Sequence, residues 1–132
     1  METIGALFLP NLPGPKQPLR TLWQRNIDQR NTTLGAEIMA LGRHRKELRA
    51  EIARAAEASR RLQAGALTKV MGDYGLKENL TAEIITVLIA AVTRLLVVEE
   101  ELDITLGHAE TRALIEGWID SLEGKVRRKK SA

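Results

Sequence analysis

Residues 81–102 read TAEIITVLIAAVTRLLVVEEEL and contain neither proline nor glycine. They predict one helix of about six turns, with Thr81 as its N-cap. Its apolar side chains cover an arc of roughly 200°, whereas one side of a small core needs only about 100°. A second apolar layer, from this chain or from a partner chain, must therefore meet the far side. We expect this helix to be shared between a monomer's core and a dimer interface. The apolar residues are Ile84, Ile85, Val87, Leu88, Ile89, Ala91, Val92, Leu95, Leu96 and Val98.

The rest of this helix is predicted to form a polar side made of Glu83, Thr86, Thr93, Arg94 and Glu101. A membrane-spanning helix needs about 20 residues with few or no charges. The helix is interrupted too often by polar and charged residues to meet that requirement. We therefore expect no membrane partner.

Composition limits the classes of protein that fit the chain. Its 132 residues give room for one domain, and the absence of cysteine excludes disulfides and thiolate metal sites. A reducing cytoplasm is the simplest compartment. The formal charge of +3 comes from the last eight residues, because residues 1–124 carry 15 basic against 17 acidic groups. Four aromatic residues are too few for the stacking surfaces of proteins that bind single strands.

Outside residues 81–102, proline, asparagine and glycine residues indicate where two further helices and an N-terminal lead-in begin or end. Four prolines fall within nine positions and predict an extended, proline-rich lead-in over residues 1–17. Pro18 suits the first position of a helix that ends near Asp28. Asn31 is expected to cap a second helix that ends near Gly42.

Two longer helices complete the predicted all-α fold. One runs from about Arg45 to Gly72, with a narrow apolar stripe that includes Ser59 and Leu62 and an exposed, salt-paired remainder. The other runs from His108 to Glu123 and closes at Gly124. Residues 125–132 are expected to be a basic disordered tail. No segment alternates with period two, so no strand is predicted.

Three segments carry a family resemblance: PLRTLWQRNIDQRNTT at 18–33, IMALGRHRKELRAEIARAAEASRRLQAGALTKVM at 38–71, and LLVVEEELDITLGHAETRALIEGWIDSLEG at 95–124. Together they resemble the C-terminal regulatory domain of TetR-family transcriptional regulators over residues 18–124. The resemblance implies five or six helices, a small-molecule effector and a homodimer. In that family the last two long helices form an intersubunit four-helix bundle, and here they would be residues 81–102 and 108–123.

The resemblance also implies two sets of site residues. A small hydrophobic effector would lie between the central helices, against Trp23, Met39, Leu67, Met71 and Tyr74. The dimer interface would draw on Leu88, Val92, Leu95, Leu96, Trp118, Ile119 and Leu122, some of which belong instead to the core.

The helix-turn-helix domain that precedes this domain in the family has no counterpart before Pro18. We therefore expect DNA contact only through a domain that this sequence lacks. We expect the chain to be either an isolated domain of a longer regulator or a relative of the family without the helix-turn-helix domain.

A second hypothesis assigns the chain to a structural class. Met and aromatic residues at helical spacing are more often plain core than ligand contacts. The chain would then be a helical dimerising adaptor with a filled core and no ligand. No nucleophile, metal set or glycine-rich phosphate loop is apparent, so we expect neither an enzyme nor a cofactor. His44 and His108 are expected to be surface or capping residues, and Glu99–Glu101 a solvated helix end.

Overall fold

The computed structural model describes the backbone of residues 17–131 and the side chains of 17–28 and 32–124. Within that range the chain is all-helical, as the sequence predicts. The proline-rich lead-in lies outside the described residues except for Gln17. The helices are α1 (Pro18–Ile27), α2 (Gln29–His44), α3 (Lys46–Thr68), α4 (Met71–Tyr74), α5 (Ala82–Glu101) and α6 (His108–Ser131).

The helix ends agree with the prediction at α5 and differ at α2, α3 and α6. Helix α3 ends at Thr68, before the expected Gly72. The Thr81 hydroxyl accepts a hydrogen bond from the Ile84 backbone N–H at 3.2 Å and caps α5 as expected. Helix α2 begins two residues before the expected cap, Asn31, and continues past Gly42. Helix α6 continues past Gly124 to Ser131, so the predicted stop is wrong.

Helix α5 lies at the centre of the fold. It packs against α1, α2 and α3, while α6 packs against α1 and α4. The core contains large side chains of α1, α3, α4, α5 and α6. Its fully or almost fully buried members are Leu19, Leu22, Trp23, Ala64, Leu67, Tyr74, Ala82, Ile85, Ile89, Leu96, Ile119 and Leu122.

The side of α5 that faces the core includes part of the predicted apolar arc and also two residues predicted to lie on the polar side. Thr86 and Thr93, assigned to the polar side, are each 1% exposed. Their hydroxyls donate to the backbone carbonyls of Ala82 and Ile89, four residues earlier, at 2.8 and 2.7 Å. Because the helix itself satisfies both hydroxyls, threonine can be buried here without a partner from another helix.

A stripe of aliphatic residues lies on the opposite side of α5. Two residues along a helix is a rotation of about 200°, so Leu88 lies opposite Thr86 and Leu95 opposite Thr93. Leu88 and Leu95 are 53% and 58% exposed. Ile84, Val87 and Ala91 are also exposed. The chain therefore buries a side of α5 that combines the two threonines with Ile85, Ile89, Leu96 and Val97, and it leaves a second aliphatic stripe open.

A buried carboxylate joins the first helix to the last. Gln17 gives α1 no side-chain cap, and Glu123 of α6, which is 4% exposed, accepts from the Arg20 backbone N–H at 3.2 Å. The Tyr74 hydroxyl donates to the other oxygen of this carboxylate at 3.3 Å. Burial, and then the Glu123 charge, raise the pKa of Tyr74. A carboxylate near the N-terminus of α1 also complements the helix dipole, so Glu123 serves as a cap supplied by another helix.

Replacing this carboxylate tests its role in the fold. In Glu123→Gln, an amide nitrogen takes the place of one accepting oxygen and leaves a buried donor without an acceptor. We expect the free energy of unfolding in urea to fall by about 1–3 kcal/mol. The control Glu110→Gln, exposed on the same helix, should stay within about 0.5 kcal/mol of wild type. Equal stabilities of Glu123→Gln and Glu110→Gln would contradict this role.

Candidate functional site

A small cavity of about 70 Å³ lies between α1, α2, α3 and α5. Its floor is polar, because Ser59, Gln63 and Thr93 are all buried residues. The Gln63 amide donates to the Ser59 hydroxyl at 3.3 Å. The lining residues are Asn26, Thr32, Gly35, Met39, Ala56, Ser59, Arg60, Gln63, Ala90, Thr93, and Arg94.

The polar floor arises from the side of α3 that faces inward after Ser59. The predicted apolar stripe included Leu62, which is 51% exposed, whereas Gln63 and Ala64 are buried. Ile52 and Ser59 of the same stripe are buried as predicted, so the buried side departs from the prediction only from Leu62 onward. Sequence periodicity alone favoured leucine over glutamine as the buried residue.

The structure brings one of the five predicted ligand residues to this cavity. Met39 lines it from α2. Trp23, Leu67 and Tyr74 are at most 1% exposed inside the core, and Met71 packs against the same core from its edge. The Trp23 indole N–H donates to a Glu116 carboxylate oxygen at 3.3 Å, which fixes this ring between α1 and α6.

A second concave feature is an apolar groove of about 260 Å³ between α5 and α6. Every residue that lines it is apolar. The lining residues are Leu80, Ile85, Leu88, Ile89, Val92, Ile115 and Trp118.

The groove borders the exposed stripe of α5, and α6 contributes Leu114, which is 74% exposed. We call the exposed aliphatic residues of α5, together with Leu114 of α6, the outer apolar face. They are Ile84, Val87, Leu88, Ala91, Leu95 and Leu114.

The predicted interface residues divide between this surface and the core. Leu88 and Leu95 lie on the outer apolar face, and Val92 and Trp118 line the groove. Leu96, Ile119 and Leu122 are at most 3% exposed and lie in the chain's own core. These three positions are therefore not available on the surface for a second copy.

Small residues of α6 lie beside Leu114. Ala109, Ala113 and Gly117 are exposed, and a Cβ added at Gly117 would meet no atom within 4 Å. Small side chains allow another helix to approach closely. The outer apolar face is thus bordered by a flat strip of α6.

The junction between α5 and α6 contains a buried histidine. His108 is 6% exposed, so its assignment as a surface residue is wrong. Its Nε2 lies 2.9 Å from a Glu99 carboxylate oxygen, and its Nδ1 lies 3.4 Å from Glu100. Arg112 pairs with Glu100, so the acidic end of α5 is not simply solvated.

The charges at this junction alter two pKa values. Hydrogen bonding to Glu99 raises the pKa of His108 in spite of the opposing effect of burial. Burial opposes ionisation of Glu100, but hydrogen bonds from Arg112 and His108 prevail and lower its pKa. The junction therefore favours the protonated imidazole.

No group of three or more metal-ligating side chains comes together among the residues that the structure describes. In the same part of the chain, no helix has both the length and the apolar character to cross a membrane. Comparison with family models, curated proteins and solved structures finds no match to this chain.

The raised pKa of His108 predicts a pH-dependent stability. Protonated His108 stabilises the fold fully below the unfolded-state pKa of about 6.5, and this contribution is lost as pH rises through the higher folded-state pKa. In urea unfolding between about pH 6 and pH 8, wild type should lose more stability than His108→Gln. The exposed His44→Gln should keep the wild-type pH dependence. Equal pH dependence of wild type and His108→Gln would contradict the prediction.

Proposed function

We propose that this chain is the ligand-responsive regulatory and dimerisation domain of a TetR-like transcriptional regulator. The outer apolar face carries this proposal. Helix α5 has large aliphatic side chains on two opposite sides, yet only one of these sides is covered by its own chain. Exposed contiguous apolar surface of this kind marks an interaction site.

A second copy of the same chain fits this face. In a two-fold dimer the same patch of each subunit meets its mate, so one self-complementary apolar face is sufficient. Helices α5 and α6 would then meet their counterparts in a four-helix bundle. Leu114 and the groove beside Trp118 lie where such a bundle would need to be filled.

Helix α5 also offers a physical route from ligand to dimer. Ala90, Thr93 and Arg94 line the cavity, while Ala91 and Leu95, their neighbours in sequence, lie on the outer apolar face. A small molecule that binds one position of α5 more tightly shifts the population toward that position. In a TetR-like regulator with its helix-turn-helix domains, the change in subunit geometry would alter affinity for operator DNA.

A helical dimerising adaptor without a ligand is the second candidate. The full burial of Trp23, Leu67 and Tyr74 favours it, because these residues fill the core instead of lining a ligand pocket. The cavity of about 70 Å³ is also smaller than typical ligand pockets of roughly 300–1,000 Å³.

Thermal unfolding with a panel of small hydrophobic compounds and small organic acids separates the two candidates. A regulatory domain should gain thermal stability with at least one compound, because binding to the native state alone raises the unfolding midpoint by mass action. A dimer whose midpoint responds to none of the compounds would support the adaptor.

Substitution on the outer apolar face tests the dimer. A charge buried without a partner costs several kcal/mol, so Leu95→Glu should convert a dimer to a folded monomer, as measured by light scattering. Leu62→Glu is the matched control, since Leu62 is similarly exposed but lies on α3. A folded Leu95→Glu dimer would contradict this placement of the interface.

A further inference from the structure

We propose that the cavity between α1, α2, α3 and α5 binds a small organic acid, with its carboxylate held by Arg60 and Arg94. This inference deepens the proposed function, on which it rests, by naming the chemical class of the ligand. It departs from the hydrophobic effector expected from sequence, because the cavity combines two arginines with a polar floor.

Arg94 has an unusual position in the sequence. It is the single charged residue of α5 between Glu83 and Glu99. Its neighbours three and four residues away on the helix are Ala90, Ala91, Val97 and Val98, so no acid on α5 can pair with it. Arg94 is exposed, so its guanidinium is solvated, and no acid of its own helix competes for it with an anion at the cavity.

Arg60 reaches the same cavity from α3. The nearest acid on its own helix, Glu57, pairs instead with Arg61 at 3.1 Å. Among the side chains that the structure describes, no ion pair includes Arg60 or Arg94. The cavity lining contains no aspartate or glutamate, so two positive charges lie beside it without an acidic residue in the lining.

Arginine is suited to this task because its planar guanidinium can bind a carboxylate through two parallel hydrogen bonds. Asn26, Ser59 and Gln63 add side-chain hydrogen-bonding groups to the lining. Polar groups of this kind fix the orientation of a ligand more than they add affinity.

The remaining lining and the size of the cavity limit the rest of the ligand. Met39, Ala56 and Ala90 supply an apolar part of the wall, which suits a short hydrocarbon group. A volume of about 70 Å³ excludes a drug-sized molecule. A short-chain carboxylate satisfies both the charged and the apolar parts of the cavity.

Calorimetric titration of the full chain with propionate tests the inference, with propionamide as a neutral compound of nearly the same shape. Propionate should bind once per chain with a dissociation constant of about 1 mM or tighter. Propionamide should bind at least about tenfold more weakly than propionate. Arg94→Gln and Arg60→Gln should each weaken propionate binding about tenfold. Arg54→Gln, exposed on α3 away from the cavity, should bind as wild type does.

Three outcomes would overturn the inference: equal binding of propionate and propionamide, wild-type affinity in Arg94→Gln, or no binding of propionate. Tighter binding of inorganic phosphate than of propionate would also overturn it, in favour of an inorganic oxyanion. Light scattering on the same samples measures whether the chain is a dimer, and so tests the proposed function separately from propionate binding. A dimer that binds neutral apolar compounds but not propionate retains the function and loses the inference.

Discussion

The structure depends on α5, which has aliphatic side chains on two opposite sides, of which the chain itself covers one. Its inner side packs against α1, α2 and α3 and includes two threonines whose hydroxyls bond to their own helix. Its outer side has Ile84, Leu88 and Leu95 and remains exposed. Exposed aliphatic side chains gain free energy when they are buried, so the outer side favours contact with another apolar surface. The proposal of a dimer follows from that exposed stripe.

The sequence predicted the fold class and the extent of α5, because these depend on local signals. Thr81 is a good N-cap, and the segment has no proline or glycine. The inward orientation of Thr86 and Thr93 was missed, because side-chain polarity was taken as a sign of exposure. Nothing local indicated that Glu123 would cap α1, since that contact joins residues 103 positions apart.

The sequence predicted only part of the candidate cavity. Met39 was predicted to contact a ligand, and it lines the cavity. The core instead contains the predicted ligand residues Trp23, Leu67 and Tyr74, because a small domain needs large apolar side chains near its centre to fill its core. Arg94 was missed, although a lone charge in an otherwise apolar segment was a usable signal. Periodicity placed Ser59 on the buried stripe of α3, where it lies, but it could not find Gln63, because it favoured the neighbouring Leu62.

The molecular mass of the wild-type chain in solution tests the central claim most directly. Sedimentation equilibrium over a range of protein concentrations should give twice the chain mass of 14.6 kDa if a second copy covers the outer side of α5, as we propose. A mass of 14.6 kDa at every concentration would contradict the account. It would mean that the exposed aliphatic side chains of α5 do not bring two copies together.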